Sequence, residues 1–115
     1  MLTVESLNEF GANTQEGLAR CMNNADFYLK MVRMSADDQN FSALQEALAQ
    51  NDLDRAFELA HALKGVMGNL SLTPLYDPIS EMTELLRNRT EMDYSSYAQE
   101  IAQKYEQLRQ ILAEG

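Results

Sequence analysis

Basic residues are scarce in this chain: Lys and Arg number 9 against 18 Asp and Glu, giving a net charge of −9. A surface of that sign repels phosphate backbones and anionic headgroups, so neither nucleic acid nor a membrane surface is an expected partner. Cysteine occurs once, as Cys21, which rules out an intrachain disulfide. A small buried or half-buried hydrophobe in a helical segment is its expected role, and a reducing cytoplasm its expected surroundings. No run of about 18 apolar residues occurs, and Met1-Leu2-Thr3-Val4-Glu5 has neither a basic n-region nor an apolar h-region, so no exported or anchored form is expected. Alternating strand patterns, internal repeats and low-complexity linkers are also missing. There is no glycine-rich phosphate loop and no kinase nucleotide motif, which excludes self-phosphorylation from ATP. Histidine occurs once, as His61.

What remains is helical. A length of 115 residues with 45% hydrophobic content suits one folded domain, taken as residues 1–115. Residues 3 to 20 read as one or two short helices interrupted near Gly11, with Thr14 as an N-cap. No glycine or proline lies between Leu18 and Lys64, and Phe27, Met31, Met34, Phe41, Leu44 and Leu48 recur at helical spacing. They predict one long helix from about 25 to 50, kinked where Ser35 to Asp38 brings polar Asp38 onto the stripe, with the methionines as core filler. Asp52 is the expected N-cap of a helix from about 53 to 70. Thr73 and Pro74 should open the next, as N-cap and first helical residue, with Leu75, Ile79, Met82 and Leu86 inward and a bend or irregular first turn at Pro78. The cations of Arg87-Asn88-Arg89-Thr90 suit the end of that helix. Asp93 should cap a last helix from about 94 to 113 carrying Tyr94, Tyr97, Ile101, Tyr105, Leu108 and Leu112, before Gly115 ends the chain. Short connections make successive helices antiparallel. The expected fold is all-α, an antiparallel up-down four-helix bundle with a short additional N-terminal helix.

On a helix advancing roughly 100° per residue, Ala56, Leu59, Ala60, Leu63, Val66, Met67 and Leu70 gather within about 60° of one line. That face must be buried. His61 falls about 160° from Leu63, among Phe57, Glu58, Lys64, Gly65 and Gly68, and so is expected to face solvent. Gly65 and Gly68 each cost a helix about 1 kcal/mol relative to alanine, and they leave a bare strip beside the imidazole for another molecule to approach. Lys64, one turn on, supplies a flexible cation able to neutralise an anion on the ring. An accessible imidazole, a cleared flank and an ammonium suit a histidine that carries a phosphoryl group.

His61, Leu63, Lys64 and Gly65 also resemble the motif of the histidine-containing phosphotransfer (HPt) domains. In that motif the histidine is followed at +2 by an apolar residue, at +3 by lysine and at +4 by glycine. The likeness extends over roughly residues 11 to 88. It includes Gly17-Leu18-Ala19-Arg20, Asn24 and Tyr28-Leu29, and the run Glu46 to Leu53 ahead of Ala60-His61. The sequence departs from the family pattern at Ser71, where many members have glycine, and at Val66, where a smaller residue is common. The resemblance implies a phosphorelay intermediate whose partners are response-regulator receiver domains, with a hybrid sensor kinase as a further candidate. It implies no cofactor on this chain, since Mg²⁺ would sit on the receiver.

On this reading His61 is the nucleophile and phosphoryl acceptor, Lys64 stabilises phosphoryl charge, and Gly65, Gly68 and Phe57 contribute to partner binding. Leu53 and Val66 could join that patch or extend the core. Glu58 could orient the ring or be an ordinary exposed glutamate. The chain would be a carrier without turnover of its own, and the starting Met1 favours a free-standing one over a piece of a sensor kinase. The alternative is a helical binding module that uses the same surface without phosphorylation. Glu58-Leu59-Ala60-His61 has the Glu-x-x-His spacing of a di-iron bundle, but such a site needs two inward-facing motifs, and no metal is expected.

Overall fold

The structure, a computed structural model, describes residues 2–37 and 39–113. Expectations placed on Met1, Asp38 and Gly115 lie outside the described residues. The described residues form seven helices and no strand: α1 (Val4–Phe10), α2 (Thr14–Arg20), α3 (Ala25–Ala36), α4 (Asn40–Ala49), α5 (Leu53–Asn69), α6 (Thr73–Arg87) and α7 (Ser95–Ala113). The interruption at Gly11 is as expected, but the cap after it is Asn13, whose side chain accepts from the Glu16 N–H at 3.2 Å. Thr14 is instead the first helical residue, and its hydroxyl donates to Asn8.

The single long helix expected over 25–50 is two helices. Ser35 turns its hydroxyl onto the Val32 carbonyl at 2.7 Å, and the Ala36 carbonyl accepts from the Tyr105 hydroxyl of α7. The second contact satisfies a carbonyl that a continuing helix would use. The break also resets the helical phase, so a stripe drawn across it fails on one side. Tyr28, Val32, Ser35 and Ala36 form the buried face of α3, whereas Phe27 and Met34 are exposed. Met34 is therefore not core filler. In α4 the expected Phe41 and Leu44 are buried, with Phe41 stacked on Tyr105 at 4.1 Å.

Helix α5 starts where Asp52 caps it, its carboxylate accepting from the Arg55 N–H at 3.2 Å. It ends in a reverse turn in which the Leu72 N–H reaches the Met67 carbonyl at 2.9 Å and the Ser71 N–H reaches the Gly68 carbonyl at 3.1 Å. That turn puts Ser71 at φ 55°, the left-handed region that favours glycine. The Ser71 departure noted in the sequence thus falls on the one residue of this turn for which glycine is the natural choice. Helix α6 begins one residue earlier than expected. Leu72 occupies the N-cap without a side-chain bond, Thr73 is helical, and Pro78 lies buried within a helix that continues to Arg87. Arg89 closes it by donating to the Leu86 carbonyl at 2.6 Å. At the start of α7 the Asp93 carboxylate is held below the usual range first by the Ser95 side chain and then by the Ser95 N–H, which donates to it at 2.9 Å.

Packing is densest between α5 and α6 and between α4 and α5, while α7 lies against α6, α3 and α4. Leu63 and Met67 of α5, Leu75, Ile79, Met82 and Leu86 of α6, and Ile101 and Leu108 of α7 are fully buried. Each such side chain contributes about 1.5–3 kcal/mol, so the buried line of α5 fixes the rotation of that helix firmly. The fixed rotation decides what the opposite face presents. Cys21 is buried as expected, but it sits just past α2 as its C-cap rather than inside a helix.

Candidate functional site

With Ala56, Ala60, Leu63 and Met67 turned inward, His61 emerges exposed from the middle of α5. Its ring stacks on Phe57, a turn earlier, at 5.8 Å between centroids and 20° between planes. Neither ring nitrogen has a hydrogen-bond partner among the described residues, so both are open to solvent or to a reactant. Glu58 is exposed and makes no bond to the ring.

His61, Lys64, Gly65 and Gly68 share the wall of one open groove of about 550 Å³. Arg20 and Glu16 of α2 face them, with Tyr76 and Asp77 of α6 beyond. The two glycines differ. A Cβ on Gly65 would meet nothing within 4 Å, so the helix is bare beside the imidazole there. A Cβ on Gly68 would lie 3.0 Å from Cε1 of Tyr76, so its missing side chain makes room for that ring. The cleared strip inferred from the sequence is thus Gly65 alone. Gly68 is a packing glycine whose carbonyl also accepts from the Arg20 guanidinium.

Lys64 is not idle in the ground state. Its Nζ lies 3.7 Å from Oε1 of Glu84 on α6, and Oε2 of the same carboxylate takes Nε of Arg87 at 3.3 Å. On the other flank, the guanidinium carbons of Arg87 and Arg89 stand 5.2 and 5.0 Å from the centre of the Phe57 ring. Asp54 holds Arg89 at 2.6 Å. Each cation around the histidine face is thus paired with a carboxylate, Arg20 with Glu16, Lys64 and Arg87 with Glu84, and Arg89 with Asp54.

Arg20, Tyr76, Glu84, Arg87 and Arg89 were not among the expected site residues. Arg87 and Arg89 were legible as helix-end cations, but their arrival over Phe57 depends on the docking of α6 against α5. For Arg20 the only signal was its place in the family-like amino-terminal segment. Leu53, Phe57 and Val66 are all half-buried and pack on the core. No group of three or more His, Cys, Asp or Glu side chains comes together among the described residues in a way that could hold a metal ion.

The Hpt domain family matches residues 28–111, and the chain belongs to it. Members carry phosphoryl groups on histidine in phosphorelays, act as phosphocarrier modules and interact with receiver domains of response regulators. The match runs further toward the C-terminus than the motif-based likeness and does not include residues 11–27. Neither the curated proteins nor the solved structures compared with this chain gave a match. Among the described residues no helix is long and apolar enough to cross a membrane.

Proposed function

We propose that this chain accepts a phosphoryl group on His61 from the phosphorylated aspartate of one receiver domain and passes it to another. The observation that carries the reading is the exposed, unbonded imidazole of His61 in a groove with Lys64 beside it and the open flank of Gly65 one turn on. The ring nitrogen farther from the backbone attacks phosphorus: an N–P bond forms, the P–O bond of the acyl phosphate breaks, and its electron pair leaves with the aspartate carboxylate. The other nitrogen keeps its proton during the attack. Lys64 balances charge on the phosphoryl oxygens, and Phe57, Gly65 and the groove floor at Gly68 meet the partner. Reversal returns the group to a second aspartate. No cofactor is required on this chain, Mg²⁺ being supplied by the receiver.

In this proposal residues 1–115 act as one domain in the cytoplasm. Its core is an up-down four-helix bundle in which α3 and α4 together form one arm and α5, α6 and α7 the others, with α1 and α2 as the amino-terminal addition. His61→Gln tests the function against a phosphorylation-independent binding module. The variant should still bind a receiver while transfer disappears; binding kept by both forms with no transfer in the wild type would favour the module.

A further inference from the structure

Resting on that reading, we infer that Glu84 is a displaceable counter-ion that holds Lys64 in reserve and yields it when phosphate arrives on His61. Glu84 is not part of the motif and lies on a different helix from the histidine. Its carboxylate bridges two cations, Lys64 at 3.7 Å and Arg87 at 3.3 Å. The arrangement is asymmetric in a useful way. Lys64 has two possible anions, the Glu84 carboxylate and a phosphoryl group one helical turn away on His61, the second bearing roughly twice the charge. Glu84 has two cations and so is not left unpaired when one departs. Arg87 remains beside it, three residues on along the same helix.

Geometry also makes the exchange easy. The Glu84 side chain is 56% exposed and that of Lys64 26%, so the contact is screened by water and neither group pays a large desolvation penalty on separating. A separation of 3.7 Å is a loose ion pair rather than a close hydrogen bond. The lysine has a flexible stem, whereas the guanidinium of Arg87 is engaged at once with Glu84 and with the Phe57 ring. The cation with the single long ion pair is the one that shares the groove with the reacting ring. Glu84 thus acts through Lys64 as a positioning residue, and it restrains the reaction by the small amount that such an exposed pair is worth.

The test uses potassium phosphoramidate as a small phosphoryl donor on the full chain, so it needs no receiver. The His61 nitrogen forms the new N–P bond as the donor's N–P bond breaks and ammonia leaves. Glu84→Gln should phosphorylate about two- to fivefold faster than wild type, the range set by a single exposed ion pair. In a Lys64→Ala background the same change should have no effect. In wild type the side-chain carboxyl carbon of Glu84, followed by NMR, should shift on phosphorylation, and in Lys64→Ala it should not. Equal acceleration in both backgrounds would show plain charge repulsion and overturn the inference. A slower Glu84→Gln, an unmoved Glu84 resonance, or no labelling of His61 would overturn it too. Success here with no transfer from any receiver would sink the relay reading while leaving the Lys64–Glu84 exchange established.

Discussion

Replacing Gly65 with alanine separates what this residue costs the fold from what it provides to the site. Gly65 is helical, exposed and has no atom within 4 Å of an added Cβ, so the methyl group meets no steric opposition. The helix should then gain nearly the full alanine preference, about 1 kcal/mol. For a domain of 115 residues that is a rise in Tm of about 4 °C, read by far-UV circular dichroism. Gly68→Ala is the internal control. Its Cβ would press on Tyr76 at 3.0 and 3.3 Å, so displacement of the ring offsets the helical gain. If Gly65→Ala failed to stabilise, or Gly68→Ala stabilised more, the assignment of one glycine to open space and the other to packing would be wrong. The functional half uses Gly65→Arg, which should keep the helix content and slow transfer from a receiver at least about tenfold, a loss of ~1.4 kcal/mol of transition-state stabilisation. Wild-type rates in that variant would refute the open strip as the partner's approach.

Ser71→Gly should stabilise by about 1 kcal/mol in denaturant unfolding, because it relieves a left-handed backbone at φ 55° and removes a buried hydroxyl that lacks a partner. Gly17→Ala should do the reverse, costing about 1–3 kcal/mol, since its Cβ would fall 2.6 Å from the Tyr28 ring. Burial, reinforced by Cys21, pushes the Tyr28 phenol up to about 12 from 10.0. The ionised form is thus disfavoured in the fold, so about 3 kcal/mol of stability present below pH 10 should be lost as pH rises toward 12, a loss absent from Tyr28→Phe. That variant should start lower by about 1 kcal/mol for the missing bond from the Tyr28 hydroxyl to the Leu70 carbonyl. Lys64→Ala should slow phosphoryl acceptance about tenfold without stopping it, and unchanged kinetics would make Lys64 a plain surface residue.

The rotation of α5, and hence the exposure of His61, was legible because burial and helical period are both written locally: Leu63 and Met67 inward fix the imidazole outward. Caps with a side-chain acceptor, such as Asp52, could also be read directly. The break after Ala36 was legible only as a kink at Ser35 to Asp38, not as a full interruption. No glycine or proline marks it, and one of its causes, the Tyr105 hydroxyl, lies on the last helix. The error on α3, where Phe27 and Met34 face solvent, followed from carrying a helical phase through that break. Gly68 illustrates the same limit at the site. A mid-helix glycine announces a missing side chain, but only the docked α6 shows that Tyr76 fills the space. Glu84 was invisible for a related reason, since an exposed helical glutamate has no sequence signature until its neighbour across the interface is known.

The most direct test of the central claim is to incubate the purified chain with a phosphorylated receiver domain and locate acid-labile, base-stable phosphate by mass spectrometry. The account predicts label on His61 and none on the His61→Gln variant. Label that persists in His61→Gln, or no label on His61 across a panel of receivers, would contradict it.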